Sequence, residues 1–220
     1  MIRAVLWDFG GVITTSPFEA FNRYERERDI PRDFIRSVNA TSPDSNAWAQ
    51  LESSAIDIAT FDKLFAQETG AAGHRIPGVD VLRLLSGDVR PEMVDALRAI
   101  KREYRVACIT NNVRDAGEGP GMAADDSAAA QVREAMALFD FVIESSVVGL
   151  RKPDPRIYEL ACERLEVEPA ETVFIDDLGI NLKPARAMGM TTVKAVSAAQ
   201  ALEELGDILD LQLTAQEGSA

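Results

Sequence analysis

Histidine is almost absent from this chain of 220 residues. His74 is the only one, so a histidine-based triad or a metal site with several histidines is not expected. Cysteine is nearly as scarce. Cys108 and Cys162 are too few for a disulfide framework and sit in apolar segments, as buried free thiols in a reducing compartment would; a cytoplasmic location is expected. Basic charge is also short, because 23 Lys and Arg face 36 Asp and Glu for a net charge of −13, with no basic run. A field of that sign repels phosphate backbones and anionic lipid, so neither a nucleic-acid nor a membrane partner is expected. No apolar run approaches the ~20 residues that span a bilayer. Met1-Ile2-Arg3 leads straight into a strand-like segment where a signal peptide would place an apolar stretch. The acidity also sets a condition: a phosphorylated ligand needs a local cation, either a metal ion or a well-placed lysine.

What is present is the composition of a globular protein, 46% hydrophobic and 27% charged, with a length suited to one domain or one domain carrying an insert. Ala4-Val5-Leu6-Trp7 is a short apolar run stopped by Asp8 and Gly10-Gly11, the pattern of a buried parallel strand ending in a loop. From Pro17 to Leu85 the apolar residues take helical spacing, in groups such as Phe18, Phe21 and Tyr24, or Phe61, Leu64 and Phe65. Breaks at Pro31, Pro43, Gly70 to Gly73 and Pro77-Gly78 cut this stretch into several short helices. Beyond it, strands and helices alternate. A helix starting at Pro91 precedes a strand over 104–109, which ends in Thr110-Asn111-Asn112. The Gly-, Ala- and Asp-rich stretch 117–130 reads as a mobile loop before a helix over 132–138. Strands follow at 141–144, 172–175 and 191–195, with a helix from Pro155, for which Asp154 is the available cap, and another over 182–188.

This alternation implies an α/β protein: a Rossmann-like parallel sheet core over 1–16 and 86–220, with a helical cap inserted over 17–85. Ligands of open parallel sheets bind outside the carboxyl ends of the strands. Those ends carry Asp8, Thr110-Asn111 and Asp176-Asp177, with Lys152 nearby, so these residues are expected to share one site. Three converging carboxylates repel one another unless protonated or metal-bound, and hard oxygen ligands suit Mg²⁺. Asp8 is then a candidate nucleophile toward phosphorus and Lys152 its charge neutraliser, while the Thr110 hydroxyl and Asn111 amide supply neutral donors.

Asp8-Phe9-Gly10-Gly11-Val12, Ile109-Thr110-Asn111, Lys152-Pro153 and Phe174-Ile175-Asp176-Asp177, followed by Asn181, resemble the four ordered motifs of the haloacid dehalogenase superfamily. The stretch from Phe139 to Pro153 and that from Asp177 to Arg186 are similar to the N-terminal phosphatase domain of soluble epoxide hydrolases. The resemblance implies a Mg²⁺-dependent phosphatase acting on a small phosphorylated metabolite, as a monomer or homodimer. Its nucleophile would be Asp8, its phosphate binders Thr110 and Asn111, and its metal ligands Asp8, the Gly10 carbonyl and Asp177, with Asp176 beside them. One position departs from the pattern. Phosphatases of the family usually carry a second Asp two residues after the nucleophile, as general acid and base, and here it is Gly10. A missing acid or base costs about 10²–10⁴-fold in rate, so the resemblance implies a slow phosphatase or one that favours good leaving groups. The family also holds metal-independent 2-haloacid dehalogenases and phosphonatases that use a cap lysine, here Lys63; a catalytically silent binding domain is a further alternative.

Overall fold

In the computed structural model, residues 1–85, 87–112 and 126–213 are described. The chain opens with β1 (Ala4–Trp7) and continues through five helices, α1 (Pro17–Glu27), α2 (Phe34–Asn39), α3 (Ala47–Glu52), α4 (Ile58–Ala71) and α5 (Gly78–Leu82). Next come α6 (Pro91–Ile100), β2 (Arg105–Thr110), α7 (Asp126–Met136), β3 (Phe141–Glu144), α8 (Ser145–Val148) and α9 (Pro155–Leu165). The chain then runs through β4 (Thr172–Asp176), α10 (Gly179–Ala187), β5 (Thr191–Lys194) and α11 (Ala198–Leu209).

All five strands run parallel in the order β3-β2-β1-β4-β5, which makes the first strand the central one. Its burial explains its composition. Every residue of β1 is fully buried, because helices cover both faces of a parallel sheet. Successive residues point to opposite faces, so Val5 and Trp7 join Val106, Cys108, Val173 and Ile175 in one cluster, roofed by α6, α7 and α11. Ala4 and Leu6 join Ala107, Ile109 and Phe174 in the other, under α9 and α10. Truncating one such fully buried aliphatic residue, Leu6→Ala for example, removes about 2–5 kcal/mol.

The helices between β1 and α6 enclose a cluster of their own, formed by Phe21, Tyr24, Phe34, Ile35, Val38, Leu51, Phe61, Phe65 and Ile76. Buried Glu25 organises one corner, accepting the backbone N–H groups of Asp33 and Ile35, both at 2.8 Å, where α2 begins. The chain leaves and re-enters the sheet-bearing part through two neighbouring segments. Thr14 pairs with Val89 in an isolated antiparallel bridge, the Thr15 N–H donates to Asp88 O at 2.9 Å, and the Arg90 N–H donates to Ile13 O at 2.8 Å. Gly87 is required there, since a Cβ would lie 2.4 Å from Thr15 O.

Three local expectations need correction. The loop expected over 117–130 falls outside the described residues as far as 125, and from Asp126 the chain is helical. Ala128-Ala129-Ala130 are strong helix formers and start α7 before its apolar stripe begins. The helix expected over 182–188 starts at Gly179, directly after the strand-end aspartates. The short α8 and the whole of α11 were not expected; α11 carries a capping box from Ser197 to Gln200 and buries Ala201, Leu202, Leu205 and Leu209. At α9, Asp154 caps as expected, its side chain accepting from the Arg156 N–H at 3.0 Å.

Candidate active site

The register of the sheet assembles the site. Trp7 pairs with Cys108 on one side and Ile175 on the other, so the next residue of each strand, Asp8, Ile109-Thr110 and Asp176, emerges at one rim. Asp8, Asp176 and Asp177 each present an oxygen within 4.8 Å of the others. Lys152, only 1% exposed, bridges two of them: its Nζ lies 2.7 Å from Asp8 Oδ1 and 2.8 Å from Asp176 Oδ2.

Asp176 is held from every side. Its Oδ1 accepts the Leu178 N–H at 2.8 Å, and the Asn181 amide donates to both oxygens at 3.1 and 3.0 Å. Asp8 Oδ1 accepts from Lys152 and from the Phe9 N–H at 2.7 Å, while Oδ2 takes no hydrogen bond among the described residues. Asp177 is the looser member, half-buried, with the Ser16 hydroxyl donating to its Oδ2 at 3.4 Å. Gly11 makes room for it. At φ +80° Gly11 adopts the left-handed region, and a Cβ there would lie 2.3 Å from Asp177 Oδ2.

The electrostatics of this cluster favour a cation. Burial and the neighbouring Asp176 push the Asp8 carboxyl well above the ordinary range, against the pull of Lys152. For the same two reasons Asp177 is pushed up to about 6. Burial works against the charge of Lys152, yet Asp176 and Asp8 outweigh it and hold its pKa above the ordinary lysine value. One ammonium therefore offsets only part of the carboxylate charge. A divalent ion with oxygen preference matches the donor set: Asp8, Asp177 and the Gly10 carbonyl could hold Mg²⁺, with Asp176 behind them.

A cavity of about 380 Å³ lies over the cluster. Asp8, Gly10, Thr110, Asn111, Lys152 and Asp177 line it from the sheet side, so the expected site residues share one space except Asp176, which sits beneath them. The Asn111 amide is engaged already. Its Oδ1 accepts the Lys152 N–H at 2.8 Å, and its Nδ2 donates to Lys152 O at 3.0 Å and to Glu52 Oε2 at 3.3 Å. The opposite wall carries Phe18, Phe21 and Trp48. These aromatics line the cavity and also belong to the helical cluster, or pack against it. Arg23 is exposed and away from the cavity, while Arg36 and Arg151 line it. Lys63 is exposed and outside it too.

Sequence reasoning passed over Glu52 and Arg151. Trp48 and Glu52 stand four apart on α3, one face of a helix, and that spacing is the signal that could have marked Glu52 as reaching the same space as Trp48. Nothing in the sequence singles out Arg151 beyond its place next to Lys152.

A parallel sheet whose strand ends gather a lysine-bridged carboxylate and two further aspartates, under an inserted helical wall, defines a Rossmann-like hydrolase with a carboxylate at its centre. Residues 2–189 match the family of haloacid dehalogenase-like hydrolases, and the chain belongs to it. It is 32% identical over 223 residues to the bifunctional epoxide hydrolase 2 of Mus musculus, covering 96% of this chain and 39% of the relative. The chain thus spans about two fifths of that relative's length. Sesquiterpene phosphatase astK of Aspergillus oryzae is 25% identical over 209 residues, covering 94% of this chain and 96% of the relative. Among solved structures, a HAD-like family hydrolase from Porphyromonas gingivalis superposes with a TM-score of 0.67 at 21% identity, covering 96% of this chain and all of the other.

Proposed function

We propose that the chain is a Mg²⁺-dependent phosphatase of the family, cleaving small phosphate monoesters through an aspartyl-phosphate on Asp8. The observation that carries this reading is the buried Lys152 bridge between Asp8 and Asp176 beside Asp177, a cluster whose carboxylates outnumber its cations. In this reading residues 17–85 form the cap and 1–16 with 86–220 the core.

Asp8 attacks with the oxygen that Lys152 and the Phe9 N–H leave unengaged. A bond forms from this oxygen to phosphorus as the bond to the ester oxygen breaks, and the ester oxygen leaves as the alcohol with a proton taken from solvent water. Water then attacks the acyl phosphate, releasing inorganic phosphate and restoring the carboxylate. Thr110 holds a phosphate oxygen with its hydroxyl, and Asn111 does so with its main chain, since its amide is committed to Lys152 and Glu52. Lys152 favours the ionised form of Asp8 and holds it in place. Bound Mg²⁺ would supply the remaining positive charge for the phosphoryl oxygens.

Gly10 offers no acid for the departing alcohol, so good leaving groups react fastest. The apolar wall of Phe18, Phe21 and Trp48 favours an ester with an apolar body; the Aspergillus relative is by name a sesquiterpene phosphatase. A metal-independent dehalogenase fits less well, because without a cation the three aspartates work against one another. Hydrolysis of para-nitrophenyl phosphate should require Mg²⁺, cease with EDTA and be lost in Asp8→Asn. Activity that persists in EDTA, or in Asp8→Asn, would overturn the reading.

A further inference from the structure

We infer that Glu52 of the cap is a positioning residue, and that with Arg151 it forms a clasp which sets Asn111 and Lys152 for phosphate binding when the cap is seated. The inference rests on the phosphatase reading and adds a residue that none of the family motifs contains.

Arg151 grips the cap at two points. Its Nε donates to Glu52 Oε2 at 2.8 Å, a terminal nitrogen pairs with the same oxygen at 2.7 Å, and its other terminal nitrogen donates to Pro43 O at 2.9 Å. The side chains of this pair are 22% and 10% exposed, so the contact is largely out of water and far less screened than a surface ion pair. The same Glu52 Oε2 accepts from Asn111, while Oε1 accepts the Trp48 indole N–H at 2.9 Å. One carboxylate thus joins the apolar wall, the arginine and the motif that holds the Lys152 peptide.

The end of α3 is fastened independently. Ser145 Oγ donates to Glu52 O at 2.8 Å and Ser54 Oγ to Ser146 O at 3.0 Å, both across the boundary between cap and sheet-bearing part. The Glu52 carboxylate is therefore not needed merely to keep α3 near β3. Oε2 faces two nitrogens of the Arg151 guanidinium and the Asn111 amide, the arrangement of a group that orients its neighbours. Rotating Glu52 away would free the Asn111 amide that clamps both ends of the Lys152 peptide and loosen the lysine that faces Asp8.

The test is binding of inorganic phosphate in the presence of Mg²⁺ by calorimetry, together with para-nitrophenyl phosphate kinetics. Glu52→Gln should weaken phosphate at least about tenfold and raise KM equally, with kcat within about twofold. Arg151→Met should do the same, and the double variant should be no worse than either single one, as expected of two residues acting as a unit. Glu25→Gln, which disturbs a buried hydrogen-bonded corner of the cap, should lower the melting temperature and leave phosphate binding unchanged. Should Glu52→Gln not fold, Arg151→Lys, which keeps the charge and loses the two-pronged contact, gives the same reading. Unchanged or tighter phosphate binding in Glu52→Gln overturns the clasp, the tighter case meaning that Glu52 only masks Arg151. An equal loss in Glu25→Gln overturns it as well, by reducing its role to cap stability. If the native protein neither binds phosphate nor hydrolyses the ester, the phosphatase reading fails first and the clasp with it.

Discussion

The two walls of the cavity are built on opposite principles. The sheet side gathers charge: Asp8, Lys152 and Asp176 are at most 7% exposed, and each is held by hydrogen bonds that the strand ends and following turns dictate. The cap side gathers area, with Phe18, Phe21 and Trp48 touching one another and the helical core edge to face, at centroid distances of 6.0 and 6.5 Å for the pairs Phe18–Phe21 and Phe21–Trp48. A buried charge tolerates almost no substitution, because removing one partner leaves the others uncompensated. An aromatic wall is graded, since each ring adds contact area nearly independently of chemistry. Reaction type should therefore depend on the sheet side and substrate choice on the cap.

The sharpest break of this contrast is Lys152→Met. It strips the only ammonium from between Asp8 and Asp176, and kcat/KM should fall about 10³-fold, read with the same reporter ester and Mg²⁺. Gly10→Asp tests the sheet side in the other direction. A Cβ at Gly10 meets no atom within 4 Å, so the carboxyl has room, and hydrolysis of alkyl phosphates should rise about 10²-fold while that of the nitrophenyl ester changes little. Equal gains on both esters would show that this position does not serve as an acid. On the cap side, Phe18→Ala should raise KM about tenfold for an ester with a long apolar tail and leave both the small reporter and the Mg²⁺ requirement alone. A changed Mg²⁺ requirement would erase the division between walls.

The smallest expected effect is a pH signature of Asp177. Burial and Asp176 raise its pKa to about 6 in the metal-free protein, so the folded chain binds the proton more tightly than the unfolded chain does. Stability contributed by this group is therefore present at acid pH and is lost as pH rises through the window up to 6. Metal-free Asp177→Asn should melt a few degrees above the native protein at pH 7.5, with the advantage shrinking toward pH 4.5. The proton also competes with Mg²⁺, whose stabilising effect on the native protein should fade below pH 6.

Much of the sheet side was legible in the chain because strands end where apolar runs meet polar residues: Trp7 before Asp8, Ile109 before Thr110, Ile175 before Asp176. A parallel sheet then carries such ends to one rim by its topology alone. Glu52 and Arg151 escaped notice for the complementary reason. Their meeting depends on how the inserted helices are seated, and ninety-nine residues separate them in the chain. The engaged amide of Asn111 was equally invisible, since two of its partners are main-chain atoms of Lys152, which carry no sequence signal, and the third is Glu52 on α3. The helix α11 is a different case, because Ser197, Gln200 and the spacing of Ala201, Leu202, Leu205 and Leu209 announce it in the residues themselves.

The place of β1 at the centre of the sheet has a consequence for how the chain comes to be folded at all. Val5 pairs with Val106 and Val173, so the apolar segment Ala4–Trp7 is made well before either of the strands it joins. The buried apolar cluster of the helices within 17–82 is made from that stretch alone, and contacts that close short loops form fastest. During synthesis these helices should therefore form early and the surroundings of Asp8, next to β1, late. The cluster of Asp8, Lys152 and Asp176 is complete only once β4 joins β1, with β5 alone still to be added to the sheet.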